Sequence, residues 1–510
     1  TIIADEMGLG KTPQSLASIA HLDAFPALVI VPASLKMNWR REIKRWIPGA
    51  EAVVLQGVKG HQLLNITKGK KVVVANYDIL GGWDSRKSGN ELEGWTTKGW
   101  GRWLAHVEWR AIVADEAHYI KNPQAARSTA VRRLFSKSRA ILKLALTGTP
   151  VLNRPAELYP ALEMLGYSNV FGSRKNYLQR YCAGRQVMIQ KRDGSTVKYF
   201  DGDGASNEIE LNKALLSSGA MIRRRKEDVL KELPAKRWVT IPVEMGRGAA
   251  EYWKAHEDCI EWFHELPKRQ QLMREEARKE WAEMSAADRA HYGSGNDYVA
   301  AYLLRKAQTS RMSEHLVRFE ALKTAAWMAK REAVLAWIEE FLDGTDKKLI
   351  VFASHRDAVD AVAAKFNAPK IQGGMKPEDV EASKERFQTD PNVRVISCNI
   401  KAGGVGHTLT AASDVAFLEL PWTPADLDQA IDRAHRIGQT DSVTGWVLAA
   451  VGEDDEPTIE WEIIELLTGK RGVVDAITDG RETDSTGASS IIGDLAGNWA
   501  ARYAETEVGA

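Results

Sequence analysis

Asp5-Glu6-Met7-Gly8-Leu9-Gly10-Lys11-Thr12 lies between the short apolar run Ile2-Ile3 and a helical pattern, and Asp115-Glu116-Ala117-His118 closes a second apolar run, Ile112-Val113-Ala114. A glycine turn feeding a helix aims backbone N–H groups and the positive helix end at phosphates. The lysine of such a turn reaches the terminal phosphates, and the threonine hydroxyl can hold Mg²⁺. The Asp-Glu pair supplies a second metal contact and a group to orient an attacking water. Together the two stretches read as a site that hydrolyses ATP. The strict phosphate-loop pattern has glycine where this chain has Asp5, so the reading leans on the motifs that follow.

Around these stretches, β-branched runs alternate with helical patterns: Ala27–Val31, Val72–Ala75, Ile112–Ala114 and Ile141–Leu146. That alternation predicts a parallel sheet flanked by helices, whose ligands gather at the carboxyl ends of its strands. Asp115-Glu116 and Thr147-Gly148-Thr149-Pro150 fall on that edge. A second series, Leu349–Phe352, Val393–Ser397, Val415–Leu420 and Val443–Leu448, with a helix over Asp357–Phe366, predicts a second α/β lobe without a phosphate loop. Gly246 to Arg331 reads as long amphipathic helices in a solvated protrusion, and Lys191 to Asn207 as a polar hairpin or loop. The expected division is 1–235, 236–330 (the start of the second lobe with the protrusion), 331–478, and a loosely packed tail over 479–510 with a short helix near Leu495–Tyr503.

At 510 residues the chain is long enough for roughly three compact units. Its 44% apolar and 27% charged content suits a globular protein, and no apolar stretch approaches the ~20 residues of a membrane span. An intracellular protein is expected: cytoplasmic in a bacterium or phage, nuclear in a eukaryote. Cys182, Cys259 and Cys398 are isolated, which predicts core thiols rather than a disulfide framework or a zinc site. The net charge of +1 excludes a whole-molecule attraction to nucleic acid and moves attention to local patches. The chain starts at Thr1, inside the strand that enters the phosphate loop, which reads as a fragment lacking a segment that grips adenine.

Pro424 to Arg436 has a helical pattern with Leu427, Ile431 and Ala434 on one face. Gln429, Arg433 and Arg436 lie about 200° around the axis and are expected to point away from the lobe's own core. The first lobe's motifs contain no arginine to meet a γ-phosphate, so these arginines would complete the site on lobe closure.

In order, the phosphate loop, Asp115–His118, Leu146–Pro150, Leu349–Phe352, Ala402–Gly406 and Gln429–Gln439 resemble the motifs of the Swi/Snf-type ATPases of helicase superfamily 2. Arg223–Lys226, Asp228-Val229-Leu230 and Leu233–Lys236 are similar to that family's interlobe linker, and Gly204–Asn207 with Glu210-Leu211 looks most like its HepA-related, annealing-helicase branch and bacterial and phage relatives. The resemblance implies two RecA-like lobes with helical insertions, ATP and Mg²⁺ between the lobes, and movement along duplex or forked DNA without base reading. It implies that Gly8, Leu9, Gly10, Lys11 and Thr12 hold the nucleotide with Gly404 and Gln429, that Thr12 and Asp115 hold Mg²⁺, that Glu116 serves the water, and that Arg433 and Arg436 act as fingers. DNA contacts are expected at Lys36, Arg40, Asn76, Tyr77, Lys121, Ser354, His355, Arg356 and Lys401. Lys401 stands where a hydroxyl residue is common, and His407-Thr408 where Leu-Asn is usual.

The stretch from Ala117 to Ala156 holds no acidic residue beside Lys121, Arg127, Arg132, Arg133, Lys137, Arg139, Lys143 and Arg154, and so offers a candidate phosphate-binding surface. In the stretch Ser34 to Trp46, the tryptophans are expected to pack inward. Two other readings stand beside the translocase: a nucleotide-responsive DNA-binding component without turnover, and a strand-separating DNA or RNA helicase. Targeting modules of such motors lie outside the two lobes, and the sequence marks neither such a module nor the identity of a targeting partner.

Overall fold

The computed structural model describes residues 1–57, 69–83, 94–95, 99–152, 154–190, 196–202, 204–285, 312–403, 408–480 and 491–504, with isolated positions between 289 and 302. Gly404 and the rest of 404–407 lie outside these residues.

The long strands are runs of apolar residues because both their faces are covered. In β2 (Ala27–Val31), Leu28 and Ile30 enter one core while Ala27, Val29 and Val31 enter another on the opposite face. The first lobe is completed by β1 (Ile2–Ile3), β3 (Glu51–Val54), β4 (Lys71–Asn76), β5 (Ala111–Asp115), β6 (Leu142–Leu146) and β9 (Met221–Ile222). Their order is β3-β4-β2-β5-β6-β1-β9, with parallel pairing throughout. β7 (Arg185–Gln190) and β8 (Thr196–Asp201) form a separate antiparallel pair; only β8 falls within the stretch Lys191–Asn207 expected as a hairpin or loop, and β7 precedes it.

The second sheet has the order β10-β15-β14-β11-β13-β12 and is also parallel. Its strands are β10 (Lys236–Glu244), β11 (Leu349–Ala353), β12 (Lys370–Ile371), β13 (Val395–Asn399), β14 (Asp414–Phe417) and β15 (Val443–Val451). Again alternate residues serve two cores, Ile350 and Phe352 on one face and Leu349, Val351 and Ala353 on the other.

Two expectations need correction. The region read as a solvated protrusion contributes a core helix, Ala249–His264, which buries Tyr252, Cys259, Trp262 and Phe263. Onto it packs the helix Ile491–Ala504, from the stretch expected to be a loose tail, with Ile491, Leu495 and Trp499 fully buried. The short helix expected near Leu495–Tyr503 is present but begins at Ile491, and the glycine- and serine-rich composition around it gave no sign that it packs into the core. Trp499 meets Phe263 and Phe319 with ring centroids 5.7 and 5.5 Å apart. Trp499→Ala is therefore expected to cost about 3–5 kcal/mol and lower the urea midpoint of the second lobe. An unchanged midpoint would restore the loose-tail view.

The helix Ile459–Asp479 starts in the second lobe and ends on the first. Its Val473 and Ile477 belong to the first lobe's core. Asn212 Nδ2 donates to Ile477 O at 2.8 Å, and Arg223 pairs with Asp479 at 2.8 Å with both side chains nearly buried.

Candidate nucleotide site between the lobes

The phosphate loop leaves β1 and enters the helix Lys11–His21 through Gly10, whose φ of +75° is costly for any residue with a Cβ. The first N–H groups of that helix have no intrahelical acceptor, so they face the loop's concavity. Lys11 Nζ donates to Asp5 O at 2.7 Å and to Glu6 O at 3.2 Å. Burial brings its pKa down to about 8, against the pull of Glu116 and Asp115.

Asp5, where the phosphate-loop pattern has glycine, is fully buried and anchors the linker. Its Oδ1 accepts from Arg224 N at 3.0 Å and Nε at 3.1 Å, its Oδ2 pairs with Arg224 Nη2 at 2.7 Å, and Gln14 Nε2 donates to it at 2.9 Å. The departure from the generic pattern thus ties the loop to the segment leading into the second lobe.

Asp115 ends β5. Burial first, then the neighbouring Glu116 carboxylate, raise its pKa to about 7. Trp39 Nε1 and Glu116 N donate to its two oxygens at 2.7 and 2.9 Å. Glu116 is also raised by burial, opposed by Lys11, Arg433 and Arg436; among the described residues its buried Oε2 has no hydrogen-bond partner, with His118 Nδ1 3.4 Å away. His118, driven down to about 4 by burial, is a neutral imidazole 3.4 Å from Thr147 Oγ1. Gly148 completes this edge: a Cβ there would stand 2.5 Å from Met7 Cγ and 3.3 Å from Lys11 Nζ.

The second lobe closes the site. The helix expected over Pro424–Arg436 ends at Ile431, where the backbone tightens to three-residue bonds, Arg433 N donating to Ala430 O and Ala434 N to Ile431 O, both at 3.1 Å; beyond it Leu409 N donates to Arg433 O at 2.9 Å and Lys226 Nζ to His435 O at 2.7 Å. Gln429 and Arg433 are 7% and 3% exposed, so the polar face is not solvated but turned into the molecule. Burial, then the adjacent Arg436, bring the Arg433 pKa down to about 9. Arg436 is fixed by Asp432 O at 3.1 Å and Thr408 Oγ1 at 3.0 Å, and its Cγ lies 3.5 Å from the place a Cβ on Gly8 would take. Lys226, a residue the sequence marks only as linker, pins the closure. It is buried, pairs with Asp432 at 3.1 Å, and its N–H donates to the Glu6 carboxylate. Burial alone would raise Asp432, but Lys236 and Lys226 hold it well below the usual carboxylate range.

The residues expected to meet DNA divide into two groups. Arg40, Arg356 and Lys401 are exposed, and Lys36 is half-buried with Nζ on Leu55 O at 3.1 Å. Ser354 O accepts from Asn399 Nδ2 at 2.7 Å, and Asn399 Oδ1 accepts from Lys401 N at 3.2 Å, which joins the loops after β11 and β13. Asn76 and Tyr77, by contrast, are 5% and 1% exposed, and the Tyr77 hydroxyl donates to Asp115 O. Their side chains face the interior, contrary to expectation. His355 is held by the Glu419 carboxylate, which raises its pKa. Lys121 pairs with Glu157 at 3.4 Å.

The basic run over Ala117–Ala156 is not one open stripe. Arg132 pairs with Glu163, Arg133 lies 4.2 Å over the Trp83 ring, and Lys143 Nζ donates to Phe135 O. Local composition missed the acids and rings supplied from outside the run. Trp46, expected inside, is 49% exposed, whereas Trp39 is fully buried.

Fold and site define a two-lobe ATP-hydrolysing core of the helicase type, with one phosphate loop and arginines supplied across the cleft. Residues 1–300 match the SNF2-related domain and residues 330–438 the helicase conserved C-terminal domain. The chain belongs to the SNF2-related family. It is 32% identical over 496 residues to the DNA annealing helicase and endonuclease ZRANB3 of Mus musculus, covering 94% of this chain and 40% of that protein. It is 28% identical to the SWI/SNF-related matrix-associated actin-dependent regulator of chromatin subfamily A-like protein 1 homolog of Caenorhabditis elegans, covering 94% of this chain and 60% of that one. The chain thus spans between 40% and 60% of the length of these relatives. Among solved structures, the Sulfolobus solfataricus SWI2/SNF2 ATPase core in complex with dsDNA aligns at 24% identity over 94% of this chain and 88% of that one, with a TM-score of 0.36.

Proposed function

We propose that the chain is a DNA-dependent ATPase that moves along double-stranded DNA and thereby remodels forks or displaces bound proteins. The observation that carries this reading is the convergence of Lys11, Asp115 and Glu116 from one lobe with Arg433 and Arg436 from the other at a buried cleft. Three cations facing two carboxylates suit a triphosphate with a divalent ion. The DNA annealing helicase among the relatives supports DNA as the polymer.

In this reading the N–H groups of Gly8, Leu9 and Gly10 and the ammonium of Lys11 bind the phosphates. The Thr12 hydroxyl and the Asp115 carboxylate would hold Mg²⁺, which would supply charge neutralisation to the phosphates. Glu116 orients the attacking water, Arg433 and Arg436 stabilise the charge on the transferring group, and Gln429 lines the second-lobe side of the nucleotide. The cycle of closing and opening moves Lys36 and Arg40 against Arg356 and Lys401 along the DNA backbone, with little sequence preference.

A triplex-displacement assay tests the movement. With ATP, the chain is expected to strip a third strand from duplex DNA yet leave a plain duplex paired. Separation of the duplex strands would favour the helicase alternative, and neither outcome at a measurable ATPase rate would contradict translocation.

A further inference from the structure

Two segments next to the expected DNA surface each send an aromatic side chain inward to the same residue. The helix Lys36–Trp46 follows β2, and its first five residues carry Lys36 and Arg40 on either side of Trp39 in sequence. Trp39 is fully buried and donates Nε1–H to Asp115 Oδ2 at 2.7 Å. The turn after β4 places Tyr77, whose hydroxyl donates to Asp115 O at 2.7 Å and whose ring stacks on Tyr119 at 5.2 Å. One segment thus holds the side chain of Asp115 and the other its main chain.

We propose that Trp39 is a positioning residue that transmits DNA binding to the hydrolytic site, with Tyr77 as a second arm. This deepens the function proposed above and rests on it for the placement of DNA along the helix Lys36–Trp46. A phosphate drawn to Arg40 or Lys36 shifts the first turn of that helix. Trp39 is fully buried in the same core cluster as Leu16, Val31 and Ile43, so close packing keeps it from absorbing the shift by changing rotamer. Its hydrogen bond, directional and shielded from water, carries the shift to the carboxylate. A tryptophan that merely satisfied a buried acid would influence hydrolysis equally with and without DNA. A relay acts on the ratio of the two rates.

Trp39→Phe tests the distinction, because it keeps most of the packing and removes only the donor. ATP turnover is measured without DNA and across a titration of duplex DNA, with thermal unfolding as a check on folding. The ratio of the DNA-saturated to the DNA-free rate is expected to fall about tenfold, the loss of one hydrogen bond to a charged group. The half-saturating DNA concentration is expected to stay within about twofold. Arg40→Ala, on the same helix, is expected instead to raise that concentration. Should Trp39→Phe not fold, Tyr77→Phe removes a single hydroxyl and is expected to lower the ratio about threefold. A stimulated wild type whose variants keep its ratio, or lose both rates in proportion, overturns the relay alone. A wild type whose turnover ignores DNA overturns the functional reading, and the relay with it.

Discussion

Arg436→Ala is expected to lower kcat about a thousandfold while leaving the affinity for ATP within a few-fold. The guanidinium is oriented by Asp432 O and Thr408 Oγ1, and its stem packs against Gly8 of the opposite lobe. Arg436 also acts electrostatically on Glu116. A group held this way meets charge that develops on the transferring phosphoryl group, so its loss falls on the chemical step rather than on binding. Arg436→Lys keeps the charge but not the planar fork, and should recover only part of the rate. Steady-state turnover paired with binding of a fluorescent ATP analogue checks both halves. A normal rate in the alanine variant would remove the second lobe from catalysis.

Lys11→Ala is expected to bring turnover to background, a loss of more than about a hundredfold, and to weaken ATP binding as well. The difference from Arg436 follows from position. Lys11 sits in the first turn of the loop's own helix, where it meets phosphate in the ground state as well as in the transition state. It is also the first-lobe cation that offsets Asp115 and Glu116, the two carboxylates whose pKa values burial raises. Substitution therefore leaves those acids more readily protonated. Retained thermal unfolding cooperativity would show that the loss is one of chemistry and not of folding.

Much of the architecture was legible because doubly covered strands are unbroken apolar runs. Ala27–Val31 appears in the structure with the bounds its composition suggests, and Leu349–Phe352 gains only Ala353. Met221–Ile222 and Lys370–Ile371 are too short to carry a period, and their place depends on neighbours far along the chain. The helix at Pro424 was read too long because its backbone tightens to three-residue bonds after Ile431, which the apolar spacing of Leu427, Ile431 and Ala434 does not record. The ionic surface was the least legible part. Whether a lysine or arginine is open to phosphate depends on partners such as Glu157 and Glu163, which lie just beyond the basic run in sequence. Trp39 and Tyr77 carried no sign of their contact with Asp115, because a tryptophan in a helix and a tyrosine after a strand are ordinary core residues. Lys226 and Asp432, more than two hundred positions apart in sequence, pair only through the fold.

The most direct test of the account is the steady-state ATPase rate with no nucleic acid, duplex DNA, forked DNA, single-stranded DNA and RNA, each at low and moderate salt. The account predicts strong stimulation by duplex and forked DNA, weakening as salt rises because the contacts are to phosphates. Equal rates under all these conditions, or stimulation by RNA alone, would contradict it.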